Sequence, residues 1–252
     1  LYPWQRASFF ASEFKTITVR SSSIMFHKEK LLERLAREVP ESYTKLCAID
    51  CDIVFQRPDW YDTVSVALDT FPVVQPYDCC LWMNAPLRAP ITVNPSAAAV
   101  LDEIRALHAS GDTDRLKGHP GFAMAMRRGV HQFPWAVVGG GDSVFFRGIA
   151  GLTGEFAHPR MRSLLDAGWK EWSATARTEM SCVTGAIWHM WHGPMQGRQY
   201  YDRYEKFVAA VPRSVKDIRE ILVENADGVW EWREDVRKEL NALEMADTSG
   251  SG

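Results

Sequence analysis

The stretch LCAIDCDIVF, Leu46–Phe55, decides how the rest of the chain is read. Leu46 to Ile49 is a short apolar run that enters Asp50-Cys51-Asp52, and Ile53-Val54-Phe55 follows. Such a run reads as a buried central strand, here one that delivers two carboxylates to its own C-terminal edge. An unpaired charge inside an apolar run is costly, which favours a working role for the two acids. Carboxylates at i and i+2 offer hard oxygen ligands to Mg²⁺ or Mn²⁺, which would clamp a diphosphate, and they can also reach a nucleotide ribose. The competing explanation is a pair of solvated acids in a turn, and on these three residues alone it is the stronger one.

Outward from this strand, apolar spacing predicts a helix over Met25–Val39, stopped by Pro40. Downstream, Trp60–Leu68 reads as a helix and Phe71–Gln75 as a strand, while Pro86, Pro90 and Pro95 mark a loop. A helix over Ala97–Ser110 has Ser96 as its N-cap and Gly111 as its stop. Gly121–Met126 and Val183–Met190 read as strands, and helices are expected from Asp142 to about Ala150 and over Met161–Ala176. Tyr201, Tyr204, Phe207, Val208 and Val211 mark one more helix, and the charged remainder from Ser214 is expected to form one or two exposed helices. Strands alternating with helices predict an α/β fold.

The proportions of the 252-residue chain, 46% hydrophobic and 24% charged, exclude a disordered or low-complexity protein and suffice for a full core. With 29 basic against 32 acidic residues, the net charge of −3 demands neither nucleic acid nor membrane. No apolar run reaches membrane-spanning length. Five cysteines without a C-x-x-C pair argue against a disulfide framework and for a reducing, cytoplasmic compartment.

Three further segments carry chemistry. Gly139-Gly140-Gly141-Asp142 lets a ligand approach the backbone and sets an acid at a helix start, where it can act as general base or as a plain N-cap. In His189-Met190-Trp191-His192-Gly193, a strand would turn the two histidines to opposite faces; His192, at the strand end, is the one expected in a site. Arg198 and Arg203 follow, as phosphate contacts or as an exposed helix face. Gly118-His119-Pro120-Gly121-Phe122-Ala123 can press backbone against a ligand, with Arg127 and Arg128 as phosphate donors, or can be an ordinary turn.

In order along the chain, these segments resemble the GT-A nucleotide-diphospho-sugar glycosyltransferases, including bacterial and bacteriophage members. KEKLLERLAREVPESYTKLCAIDCDIVFQRPDW (Lys28–Trp60) looks like the family's helix, strand and D-x-D turn. FAMAMRR (Phe122–Arg128) is similar to its "GfA-x-x-rr" strand, Gly139–Asp142 to its G-G-[ED]-D element, and IWHMWHG (Ile187–Gly193) to its late histidine segment. The resemblance implies a Rossmann-like, mainly parallel central sheet flanked by helices. It divides the chain into a catalytic domain over 1–212, a C-terminal helical extension over 213–247 and a flexible tail over 248–252.

It also implies roles. Asp50 contacts the nucleotide ribose, and Asp52 and His192 hold Mn²⁺ or Mg²⁺. Asp142 is the base in inverting members, and Lys28, Gly121, Phe122, Ala123, Gly140, Gly141 and Arg198 line the nucleotide-sugar site. UDP is the expected nucleotide. The acceptor is a glycan, a protein, a small molecule or, in a phage setting, a hydroxylated DNA base, with Arg127, Arg128, Arg160 and Arg162 as a local basic patch. Two features depart from the pattern: one acid, where the family has two, follows the glycines, and only 49 residues precede Asp50, so the first nucleotide-binding strand is expected to be shortened or missing. The rival expectations are a nucleotidyltransferase or sugar-nucleotide hydrolase on a similar fold, and a binding module with a degenerate domain.

Overall fold

A computed structural model describes residues 15–112, 116–152, 158–191, 193 and 202–248, with side chains placed as far as residue 242. The protein is a mixed α/β structure in which helices flank sheets containing both parallel and antiparallel strands. The first sheet has the order β1 (Lys45–Ile49), β6 (Ala123–Arg127), β3 (Val73–Gln75), β7 (Met180–Cys182). The second has the order β2 (Ile53–Phe55), β8 (Ala186–His189), β4 (Cys79–Met83), β5 (Pro90–Pro95). Only β3/β7 and β4/β8 are parallel, so the expected mainly parallel single sheet is corrected to two mainly antiparallel ones.

The cause lies in the short connections. Asp50–Asp52 carries the chain from β1 in the first sheet to β2 in the second, Pro76–Asp78 does the same from β3 to β4, and Val183–Gly185 from β7 to β8. Each link is too short for a helical crossover back into its own sheet. The D-x-D turn is therefore a seam between sheets. β1 itself is an edge strand among the described residues, half-exposed along its length, and not the buried central strand its composition suggested.

Helices α1 (Lys28–Glu38), α2 (Trp60–Thr70), α3 (Leu101–Ala109), α5 (Pro159–Ala176) and α6 (Asp202–Ala210) fall within or close to their sequence-predicted spans, and a short 3₁₀ turn at Ala98–Val100 precedes α3. Helix α4 (Gly141–Ala150) is buried beyond its first turn. Val144 joins the core of Phe133, Met161, Leu164 and Phe207, while Phe145, Phe146 and Ile149 join that of Val73, Ile104 and Met124. A helix locked on two sides gives a fixed mounting for whatever its first turn carries.

Two expectations at the periphery are corrected. The proline-marked loop is a β-hairpin, because Pro90 and Pro95 sit at the two ends of edge strand β5, where a missing ladder donor is tolerated. The C-terminal remainder is not purely helical: a 3₁₀ turn at Ile218–Ile221 leads into a hairpin of β9 (Leu222–Glu224) and β10 (Trp230–Trp232), then α7 (Glu234–Thr248). Asn225 organises that hairpin, its Oδ1 accepting from Asp227 and Val229 N–H, and Ile218, Ile221, Trp232, Val236 and Leu240 pack into the same core as α5 and α6. The aromatic N-terminal residues as far as Phe14, and the tail at 249–252, lie outside the described residues. Among the described residues no strand precedes β1, and no helix is long and apolar enough to cross a membrane.

Three of the arginines expected at phosphate, Arg127, Arg128 and Arg160, donate to backbone carbonyls. Arg127 donates to the carbonyls of Leu68 and Asp69 at 2.6 Å each, and Arg160 to those of Pro212 and Val215. Arg128 donates to the carbonyls of Ala36, Val39, Pro40 and Tyr43 at 2.8–3.2 Å, which caps the C-terminal end of α1. A charged donor that gathers several carbonyls at a helix end is stabilising. Arg128→Ala is therefore expected to cost about 2 kcal/mol, read as a lower denaturant midpoint, with Arg128→Lys restoring only part of it because one ammonium cannot span four carbonyls.

Candidate functional site

The seam between the sheets gathers side chains from five places in the sequence. Lys28 and Glu29 come from the first turn of α1, Asp50 and Asp52 from the β1–β2 link, and His119, Gly121 and Phe122 from the segment entering β6. Asp142 stands in the first turn of α4, and His189 ends β8. Lys28, Glu29, Asp50, Gly121, Phe122, Ala123, Gln132 and Asp142 line one cleft, whose enclosed part measures about 20 Å³, room for a single water.

Asp50 follows β1 and continues its ladder, its N–H donating to the Phe122 carbonyl at 2.7 Å. Its carboxylate meets the Lys28 ammonium at 2.6 Å, with both side chains about one-third exposed. Burial pulls the Lys28 pKa down, but the pairing with Asp50 outweighs it and the net direction is up, so this lysine stays charged. Asp52 points the other way across the seam, its Oδ2 3.3 Å from His189 Nε2. His189 is buried, its ring 4.3 Å from Trp82 and 4.6 Å from Phe122 between centroids.

Phe122 is the hub of this aromatic group. The His119 ring stacks on it at 3.7 Å and 7°. Its own backbone has φ +69°, a left-handed conformation that costs a non-glycine residue about 1–3 kcal/mol. The segment is held by the buried pair Gln75 and Tyr77: Tyr77 donates to the Gly121 carbonyl at 2.8 Å, and Gln75 donates to the His119 carbonyl at 3.0 Å. His119 Nδ1 accepts from Gly121 N–H at 3.1 Å, which leaves the proton of the neutral ring on Nε2. Burial, with further lowering from His189 and Lys28 that outlasts the opposing pull of Asp142, takes the His119 pKa down to about 4.

Asp142 lies against the backbone of Gly121, where a Cβ would collide with its Oδ2, and its Oδ1 accepts from Ser143 N–H at 2.9 Å. Gly121 is thus required by the acid facing it. The glycines of the 139–141 run meet protein in the same way. Gly139 and Gly140 turn at φ +86° and +75° against Arg203 and Tyr204 of α6, and Gly141 lies against the carboxyl of Glu29. On the side where a Cβ would stand, these three backbones meet the chain's own side chains.

The predicted residues Lys28, Asp50, Gly121, Phe122, Ala123 and Asp142 are brought to one cleft, with Asp52 on the neighbouring side of the seam. His192 and Arg198 lie outside the described residues. The histidine that the described residues place beside Asp52 is His189, at the end of β8. Sequence reasoning missed Glu29 and gave His119 little weight. Glu29 is only 3% exposed, and nothing in the pattern of a charged amphipathic helix separates it from Glu33 or Glu38.

Among the described residues no group of three or more His, Cys, Asp or Glu side chains is placed to hold a metal ion. Asp52 and His189 form a two-donor set, which suits a cation that keeps waters and takes substrate phosphates as its remaining ligands. The imidazole favours Mn²⁺ over Mg²⁺. A larger cleft of about 600 Å³ opens along the C-terminal half of α1, lined by Glu33, Arg37, Leu46, His131, Trp135 and Trp172, and its histidine is exposed. Compared with family models, curated proteins and solved structures, the chain matches none of them.

Proposed function

We propose that the protein is a metal-dependent glycosyltransferase that moves a sugar from a nucleoside diphosphate donor, with UDP the first nucleotide to test, to an acceptor hydroxyl. The observation that carries this reading is the convergence of Asp50, Asp52, Asp142 and His189 on one seam, from positions spread over most of the chain. Four separately weak motifs meeting in space argue against a set of unrelated surface turns.

Asp52 and His189 would hold Mn²⁺ or Mg²⁺, which offsets the charge of the diphosphate as the bond to the sugar breaks. Asp50, fixed by Lys28, stands ready for a ribose hydroxyl, and the Lys28 ammonium beside it tempers the negative charge that a diphosphate would meet. Asp142 is half-exposed on a rigid helix start and is the group to take the proton of the acceptor hydroxyl. The enclosed pocket holds only a water, so donor and acceptor lie across its mouth. Because Arg127, Arg128 and Arg160 serve backbone carbonyls, a glycan or small-molecule acceptor is favoured over a DNA base. The free cysteines fit work in a reducing cytoplasm, bacterial or infected.

The test is a panel of sugar nucleotides incubated with Mn²⁺ and with EDTA, with products identified by chromatography. Nucleoside diphosphate release from one donor, lost in EDTA, is expected. Pyrophosphate or sugar phosphate release would replace the transferase by a nucleotidyltransferase or hydrolase. Neither release nor metal-dependent binding would leave the binding module.

A further inference from the structure

The buried acid Glu29 has no part in the chemistry above, yet it lies in the middle of the site. It is 3% exposed, and Oε2 has no hydrogen-bond partner among the described residues. Its carboxyl fills the space that a side chain at Gly141 would take, one residue before Asp142, and it lines the same water-sized cavity as Asp50 and Asp142. The chain carries one acid after its glycines, and Glu29 supplies a second carboxyl there from another helix.

The charged and titratable groups around it are Lys28 on its own helix, Asp50 from the β1–β2 link, Asp142 on α4 and Tyr204 on α6. Lys28 is already paired with Asp50. A charged Glu29 would therefore add an uncompensated negative charge beside Asp142, at a site meant for an anionic donor.

We propose that Glu29 is a positioning residue whose protonated, neutral form is the donor-binding form of the site, so that nucleoside diphosphate binding and proton uptake at Glu29 are linked. This rests on the transferase reading and adds a pH control to it. Burial, opposed by Lys28 and reinforced by Asp142 and Asp50, raises the pKa of Glu29 to about 7, which puts the control in the neutral range. Adding one unit charge within a partly buried site weakens anion binding on the order of tenfold. His119, which titrates near 4, takes no part in that window.

The test is calorimetric titration of the whole chain with UDP and Mn²⁺ at pH 6 and pH 8, repeated in buffers of different ionisation enthalpy to count protons. The native protein is expected to bind UDP about tenfold more weakly at pH 8 and to take up a proton on binding near neutral pH. Glu29→Gln is expected to lose that tenfold weakening and to take up fewer protons on binding than the native protein. Comparing the two proteins separates Glu29 from every other group that titrates in this range, UDP included. Parallel weakening in both proteins, or equal proton counts for the native protein and Glu29→Gln, overturns the proposal and leaves the transferase reading standing. Absence of UDP binding by the native protein at both pH values overturns that reading and this linkage together.

Discussion

Asp52→Ala is expected to lower metal-dependent nucleoside diphosphate release at least about a hundredfold while the protein remains folded. Asp52 is the carboxylate of the two-donor set, and its Oδ2 lies 3.3 Å from His189 Nε2. Removing it would leave one imidazole to hold a divalent cation, too little to keep the metal against water. The fold is expected to survive because Asp52 is partly exposed on a link, and its backbone carbonyl keeps the bond from Met190 N–H at 2.7 Å. His189 stays wedged between Trp82 and Phe122 whatever happens to Asp52. The measurement is turnover at saturating donor across a Mn²⁺ titration, with near-UV circular dichroism as the check on folding. Unchanged release in the variant would sink the roles of Asp52 and of the metal at once. Asp50→Ala separates the two acids: it frees Lys28 and is expected to act mainly on donor affinity, because Asp50 faces the lysine and not the histidine.

Much of the site was legible because its polar groups interrupt apolar context. Asp50 and Asp52 stood out against Leu46–Ile49 and Ile53–Phe55, and Asp142 against the buried helix that follows it. What the pattern could not give was facing. The 139–141 glycines read as space for a ligand, and where a Cβ would stand the close neighbours are Glu29, Tyr204 and Arg203, because a glycine reports only that something comes close. Where β8 ends could not be read locally, because strand ends are set by partners. His189 pairs with Ile53 and with Trp82, both distant in sequence.

The fold was legible in its helices more than in its sheets. Helical period is a local signal, and α1, α2 and α5 were found near their true ends. Strand direction is not local. The alternation of strands and helices suggested parallel crossovers, but three short links at Asp50–Asp52, Pro76–Asp78 and Val183–Gly185 pass the chain between sheets instead. Those links create the seam that brings the acids and His189 together, so the misread feature of the fold is the one that builds the site.

Stability is expected to show two opposed pH slopes that single substitutions uncover. His119 has its pKa lowered from 6.5 to about 4, chiefly by burial, so the folded state resists protonating it. Its contribution is complete above pH 6.5 and is lost as pH falls through 4, a change of about 3 kcal/mol. Glu29 has its pKa raised from 4.5 to about 7, again chiefly by burial, so the folded state prefers it protonated. Its contribution is complete below pH 4.5 and is lost as pH rises through 7, also about 3 kcal/mol. Between pH 4 and 7 the two slopes nearly cancel in the native protein. Glu29→Gln removes the falling slope, so its stability relative to the native protein is expected to climb by about 3 kcal/mol from pH 4.5 to 7. His119→Gln removes the rising slope, so its relative stability is expected to drop by a similar amount from pH 4 to 6.5, and the double variant is expected to be flat. Urea unfolding at half-unit pH steps reads all four proteins. Coincident profiles would mean that neither group is held off its ordinary titration, and the buried electrostatics of the site would need a different account. If the double variant departs from the sum of the singles, the excess measures how far His119 and Glu29 feel each other through Asp142, which influences both.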